Sequence, residues 1–278
     1  MSLLNVASGL VLDENGIWVG PEAGSLSYPS DGNAQCYLLE DQSFWFKHRN
    51  NCIVSILRQF PPNGPLLDVG GGNGYVTRRL LDEGFDAILC EPGPEGAFNA
   101  KIHRHIPQVI CATLEDASFK KESIPAVGCF DVIEHIEDDH QFLRQIHDAL
   151  SPRGRLYATV PVYQWLWSAS DDEAGHFRRH TKATIVELLG DDYELEFFSC
   201  FFVPLLPFIY FLRSLPYKIG LSRKAGVMSS DAEHGVKRNV IHEIVDFLLH
   251  KEVRAMDARK SHRFGASCLF VARKVEVR

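Results

Sequence analysis

Apolar positions along this chain follow two spacings in alternation. Short apolar-rich runs recur at 65–70, 86–91, 107–112, 124–130 and 154–160. Such runs read as strands buried on both faces. Between them, 73–83, 95–104 and 138–150 carry helical spacing. In the last of these, Phe142, Leu143, Ile146, Ala149 and Leu150 share one face, and Gln141, Arg144 and Asp148 lie opposite. Gly84 supplies a helix stop. Strands alternating with helices predict a parallel sheet covered on both sides. Ligands then bind at the carboxyl ends of the strands.

The flanks read differently. Residues 1–36 show little apolar periodicity and are expected to form an arm or lid. Residues 37–60 carry a helical stripe through Ile53, Ile56, Leu57 and Phe60, stopped by Pro61-Pro62. Another helix is expected from Thr181, as N-cap, to Leu189, and extended chain over 192–200. From Cys200 to Leu212 thirteen apolar residues run without a charge. Two prolines interrupt them, and the run is short for a bilayer span. Residues 239–253 predict an amphipathic helix with Val240, Ile241, Ile244, Val245, Leu248, Leu249 and Val253 on one face. Leu269-Phe270-Val271-Ala272 predicts a returning last strand. The expected domains are an N-terminal arm and helix (1–60), a core (61–200 and 266–278), and an apolar, basic insertion (201–265) acting as a cap or dimer surface.

Composition adds three points. The seven cysteines form no C-x-x-C pair, which suits reduced thiols in a cytoplasmic protein better than zinc or disulfides. The opening residues lack the basic start of a signal peptide. The net charge of −7 argues against a nucleic-acid partner. That charge is uneven: residues 201–278 carry 14 Lys+Arg against 7 Asp+Glu. A basic surface beside an apolar run admits an anionic partner, including peripheral membrane contact through 201–224.

The most informative stretch is Leu66-Leu67-Asp68-Val69-Gly70-Gly71-Gly72-Asn73-Gly74. A buried strand, a glycine loop and a helix start bring backbone N–H groups close to a ligand. The glycines fall at 70, 72 and 74, and Tyr occupies 75, so the dinucleotide fingerprint fails. Glu91 ends the next strand, where a carboxylate can accept both hydroxyls of a ribose.

Asp68 to Gly74, Glu91, Thr113-Leu114-Glu115-Asp116, Asp131-Val132-Ile133-Glu134-His135 and Leu150-Ser151-Pro152-Arg153-Gly154 occur in that order. Together they resemble class I S-adenosylmethionine-dependent methyltransferases, in particular the methyltransferase-11/23 group with its ubiquinone-biosynthesis O-methyltransferases. The resemblance covers roughly 37–200 and the last strand. It implies a doubly wound, mostly parallel seven-stranded α/β sheet with an N-terminal helical arm and a helical insertion before the last strand. It implies S-adenosylmethionine as cofactor, with Gly70, Gly71 and Gly72 at its methionine part. Asp68 would order that loop or meet the amino group. Glu91 would bind the ribose, Thr113 and Leu114 would flank the adenine, and Asp131 would lie nearby. Arg153 departs from the usual Pro-Gly-Gly turn, which is structural.

Several candidates lie around this frame. Trp45 could cover the cofactor and Arg49 could meet its carboxylate; packing of the helix on the core accounts for both equally well. His135 is the candidate general base. Asp131, Glu134 and His135 would share a face of a helix, and relatives use that pattern for a divalent ion. The preferred reading assigns no metal. Tyr163, Trp165, Trp167, His176, Arg178, Arg179 and His180 follow the fifth strand, where relatives border the acceptor. The expectation is methyl transfer by direct displacement to a small-molecule or lipid- or glycan-linked acceptor, with a homodimer admitted. The alternatives are a non-catalytic cofactor binder that docks a partner, a metal-assisted O-methyltransferase, and a nucleotide-dependent oxidoreductase.

Overall fold

A computed structural model describes residues 6–21, 37, 39–221 and 240–276. The remaining parts of the expected N-terminal arm and of the 201–265 insertion lie outside the described residues, as do the side chains of Val240 and Ile241.

The core strands are β3 (Leu66–Val69), β4 (Ala87–Cys90), β5 (Val109–Cys111), β6 (Ile124–Phe130) and β7 (Leu150–Pro161), all parallel. β8 (Tyr193–Phe201) and β9 (Ser267–Lys274) complete that side, with β9 antiparallel to both β7 and β8. The N-terminal residues, expected as an arm or lid, join the sheet. They form two-residue strands, β1 (Val11–Leu12) and β2 (Trp18–Val19), and β2 pairs with β5 in parallel. Among the described residues the sheet therefore has nine strands rather than the expected seven, in the order β1-β2-β5-β4-β3-β6-β7-β9-β8. A turn at Asp13 explains the departure: its carboxylate accepts from Asn15 N at 2.9 Å and Ile17 N at 2.7 Å, folding the arm back as a hairpin.

Side chains alternate across the sheet. Leu67, Val69, Ile88, Val127, Leu156 and Ala158 point to one layer, which holds α5 (Asp139–Ala149) and α7 (Lys182–Leu189). Leu66, Ala126, Tyr157, Leu269 and Val271 point to the other, which holds α1 (Phe44–Gln59), α2 (Tyr75–Asp82) and α10 (Val240–Asp257). Thr181 caps α7, accepting from Thr184 N. α1 starts later than its stripe suggests, because Ser43 accepts from Trp45 N and sets the first turn there.

The insertion between β8 and β9 begins with short helical pieces over 203–218, including α8 (Leu206–Ile209) and α9 (Leu215–Lys218), and continues with α10 after the undescribed stretch. The expected single apolar face of α10 is split. Leu249 is buried and Val245 and Val253 pack against the core, whereas Ile244 and Leu248 are exposed. Polar contacts decide this rotation. Glu252 is 5% exposed and accepts from the amides of Phe202 and Val203 at 2.8 and 2.9 Å, and it pairs with His48 at 2.6 Å. Ser55 donates to Asp257 and Gln59 to the Met256 carbonyl, so α1 and α10 are clasped along their length.

Candidate functional site

The strand order reverses at β3: the chain proceeds from β3 through β4 to β5 on one side, then crosses to β6 and β7 on the other. The crevice outside the carboxyl ends of β3 and β6 is the switch point, where ligands bind in such sheets. The glycine loop leaves β3 there, and Asp131 to His135 leave β6.

Gly70, Gly72 and Gly74 have φ of +69°, +54° and +79°. Side chains there would strain the backbone. Gly71 serves packing instead: a Cβ would lie 2.3 Å from Leu89 and 2.9 Å from Asp68 Oδ2. Asp68 is fully buried, and Thr77 of α2 donates to its Oδ2 at 2.6 Å. Its Oδ1 has no hydrogen-bond partner among the described residues. Burial, against the bond from Thr77 and the charge of Arg49, pushes its carboxyl up to about 7.

Glu91 holds the loop itself. Its two carboxylate oxygens accept from Gly72 N at 2.9 Å and Gly93 N at 2.8 Å. Thr113 caps α4 (Leu114–Ala117), accepting from Asp116 N, and Leu114 is buried in the sheet's core. Both follow β5, one strand beyond Glu91.

Arg49 and Trp45 reach the site from α1. Arg49 Nη1 donates to Asp131 Oδ2 at 2.5 Å, and Thr159 donates to Oδ1 at 2.7 Å. Arg49 is 9% exposed and its Nε has no partner among the described residues. Trp45 stacks on Phe202 of the insertion, ring centroids 3.7 Å apart at 18°. Its position is thus a packing contact between the N-terminal helix and the insertion.

Beyond β6 the chain makes a 3-10 turn, Ile133–His135, rather than the expected helix start. Asp131 takes φ +58° and its backbone N–H bonds to Thr159 O. The Asp131 oxygens accept from Arg49 and Thr159, and Asp131 is not among the described ligand groups that converge there. The described groups that do converge are Glu134, His135 and His176, whose ligand atoms all lie within 4.8 Å of one another. Glu134 is 1% exposed, and burial, then the charge of Asp131, raises its carboxyl well above the usual range. Burial, then His176, pushes the His135 imidazole down to about 4.

His176 follows α6 (Ala169–Ala174). Asp171 anchors this segment: it accepts from Ser168 N, His176 Nδ1 and two Arg179 nitrogens, all within 3.0 Å. Burial works to raise its pKa, but His176 and Arg179 outweigh burial and hold it at about 2. Arg178 is paired with Asp139 and donates to Glu137 O, and His180 is buried. Arg178 and Arg179, expected to greet an anionic acceptor, are thus held in ion pairs within the protein. The aromatic ones form a row. Tyr163 stacks on Trp165 at 5.7 Å, Trp165 meets Tyr210 at 5.5 Å, and Tyr210 meets Phe211 at 5.1 Å. Sequence reasoning missed Thr77, Thr159 and Asp171. Only Asp171 left a signal, the Ser168-x-x-Asp171 capping pattern.

The methyltransferase-domain family profile matches residues 45–196. The human mitochondrial ubiquinone biosynthesis O-methyltransferase is 30% identical over 125 residues, which is 40% of this chain and 34% of that one. An uncharacterized methyltransferase of Mycobacterium tuberculosis is 26% identical over 129 residues, 46% of this chain and 47% of that one. The chain thus matches about a third to a half of the length of these relatives. Among solved structures, a chain from the Haloferax volcanii complex of the Trm112 methyltransferase activator with a methyltransferase aligns with TM-score 0.56 and 17% identity, covering 88% of this chain and 95% of that one. The Haemonchus contortus phosphoethanolamine N-methyltransferase 2, solved with S-adenosyl-L-methionine, aligns with TM-score 0.53 and 18% identity, covering 90% and 58%. These structural likenesses show the fold. With the sheet order, the glycine loop at the switch point and a profile match over more than half of its length, the chain belongs to the methyltransferase-domain family.

Proposed function

We propose that this protein is an S-adenosylmethionine-dependent methyltransferase acting on an acceptor with an apolar or aromatic body, either a small molecule or a lipid- or glycan-linked one. The observation that carries the cofactor assignment is the pair of open polar atoms at the switch point. Asp68 Oδ1 is a buried acceptor suited to the cofactor's ammonium, and Arg49 Nε is a buried donor suited to its carboxylate. Glu91, at the carboxyl end of β4, would take the ribose hydroxyls, and Thr113 and Leu114 would border the adenine. When bound, the cofactor supplies an electrophilic methyl group on a sulfonium. The chain's own residues then align and dehydrate: α1 closes over the crevice through Arg49, and the turn at Glu134 and His135 borders the acceptor.

The acceptor assignment is supported by the row of rings from Tyr163 through Trp165 and Tyr210 to Phe211. The row runs from the carboxyl end of β7 to the helical segment after β8, where Phe208, Phe211 and Leu212 are 58%, 62% and 72% exposed. Arg213 and Lys218 lie on the same segment, and 206–221 carries no acidic residue. Apolar side chains with basic neighbours suit the interface of an anionic membrane. Among the described residues no helix is long and apolar enough to cross a membrane. We infer a cytoplasmic protein that works at a membrane surface.

Calorimetry with S-adenosylhomocysteine tests the cofactor assignment. The wild type is expected to bind it and to ignore NAD. Glu91→Ala is expected to weaken binding at least tenfold while the fold persists by circular dichroism. Unchanged affinity in Glu91→Ala removes the ribose role, and NAD binding favours an oxidoreductase. Turnover of the cofactor with apolar phenolic or lipid-linked acceptors separates an enzyme from a non-catalytic binder.

A further inference from the structure

We propose that Glu134, His135 and His176 form a binding site for one divalent transition-metal ion of the zinc, cobalt or nickel kind. The set differs from the one implied by the family resemblance: Asp131 is held by Arg49 and Thr159, and a histidine from the loop after α6 takes its place.

Two loops are tied together to build the site. Phe177 N donates to Glu134 O at 2.8 Å, which sets the residue after His176 against the turn that carries Glu134 and His135. The His135 and His176 rings meet edge to face, centroids 4.7 Å apart. Glu134 Oε2 is buried with no hydrogen-bond partner among the described residues. A buried carboxylate oxygen with nothing to bond is costly unless something cationic or a donor arrives.

The surroundings have the form of an outer metal shell. A ligating imidazole normally gives its second ring nitrogen to a carboxylate or a backbone carbonyl, which sets the tautomer. His176 Nδ1 is bonded to Asp171 at 2.9 Å, and Asp171 is itself fixed by Arg179 and Ser168. This leaves Nε2 as the ligand atom of His176. His135 is engaged by the Ala174 carbonyl. Two imidazoles and one carboxylate suit zinc, cobalt or nickel better than calcium or magnesium, which prefer oxygen ligands alone. Around a tetrahedral ion with bonds of about 2.0 Å, ligand atoms lie roughly 3.3 Å apart. The ligand atoms, all within 4.8 Å of one another, would draw together by side-chain rotation on two loop segments when the ion binds. Three protein ligands leave a further position open, as in metal sites that meet a substrate.

The test uses untagged full-length protein, with Co2+ as the spectroscopic probe and Zn2+ as competitor. The wild type is expected to bind one Co2+ with visible d–d absorption that Zn2+ removes. His176→Ala and Glu134→Gln are expected to lose at least tenfold in Co2+ affinity, and Asp171→Asn to lose ~10–100-fold through the outer shell. Asp131→Asn is expected to bind Co2+ as the wild type does. Absence of Co2+ absorption in the wild type overturns the proposal. So does wild-type affinity in His176→Ala, or loss of the ion in Asp131→Asn alone. Thermal melts show which variants remain folded, and where His176→Ala does not, His176→Gln takes its place. The proposal does not depend on the cofactor reading: S-adenosylhomocysteine calorimetry on the same samples reports that separately.

Discussion

Arg49 of the N-terminal helix donates to Asp131 at the end of β6 across 2.5 Å, joining the lid of the crevice to its floor. Arg49 is nearly buried and Asp131 is a quarter exposed at its side chain. The contact closes α1 over the switch point.

Removing one partner of this pair leaves a desolvated charge behind. Arg49→Ala is expected to cost roughly 2 kcal/mol, below the range for fully buried pairs because water reaches Asp131. Arg49→Lys keeps the charge without the planar fork and is expected to recover only part of the loss. Urea denaturation of both variants, with and without Asp131→Asn, measures the coupling. Additive losses would show that the pair is not a clasp.

Glu252 gives a second clasp. It satisfies two backbone amides and His48 at once, in a buried position. Glu252→Ala leaves both amides without their acceptor and is expected to destabilise the protein by about 3 kcal/mol, while Glu252→Gln loses less. Hydrogen exchange is expected to rise at Phe202 and Val203. If exchange there does not change, the amides are not held by this carboxylate.

Asp68 sets a pH dependence. Its carboxyl is raised to about 7 in the fold against 3.8 ordinarily. Between those values the unfolded chain has released its proton and the folded chain has kept it, so stability falls as pH rises through this window. Above about 7 the full penalty is present. Asp68→Asn mimics the protonated form and is expected to lose this dependence. Denaturation midpoints at pH 5 and pH 8 are therefore expected to differ more for the wild type than for the variant. Binding of the cofactor's ammonium beside Asp68 would favour the ionised form, so calorimetry near pH 6 is expected to register proton release.

The exposed apolar segment predicts membrane association. The protein is expected to sediment with vesicles rich in phosphatidylserine at low salt, and raised salt is expected to weaken this. Phe211→Ser with Leu212→Ser is expected to reduce binding without altering S-adenosylhomocysteine affinity. Equal sedimentation with neutral vesicles would remove the electrostatic part, and none at low salt would remove the whole reading.

Much of this was legible in the residues. The strands at 66–69, 87–90 and 124–130 and the helices at 75–82 and 139–149 follow from local spacing, because a buried strand or an amphipathic helix writes its period into the chain. The hairpin at 11–19 did not, since two-residue strands carry no period and owe their existence to the edge of β5. The rotation of α10 did not either. Its apolar residues would fit several faces, and a single buried polar residue, Glu252, chose among them by finding two amides some fifty residues away in sequence.

The sequence by itself therefore determined the core strands, the glycine loop and the acidic ends of β3 and β4, because each depends on residues adjacent along the chain. Only the tertiary structure decided which side chains meet at the site. It placed Arg49 on Asp131, Trp45 on Phe202, and His176 beside Glu134 and His135. Those contacts join segments far apart in the chain, and burial fixes them: a charge or imidazole removed from water must take a partner that the fold brings within reach.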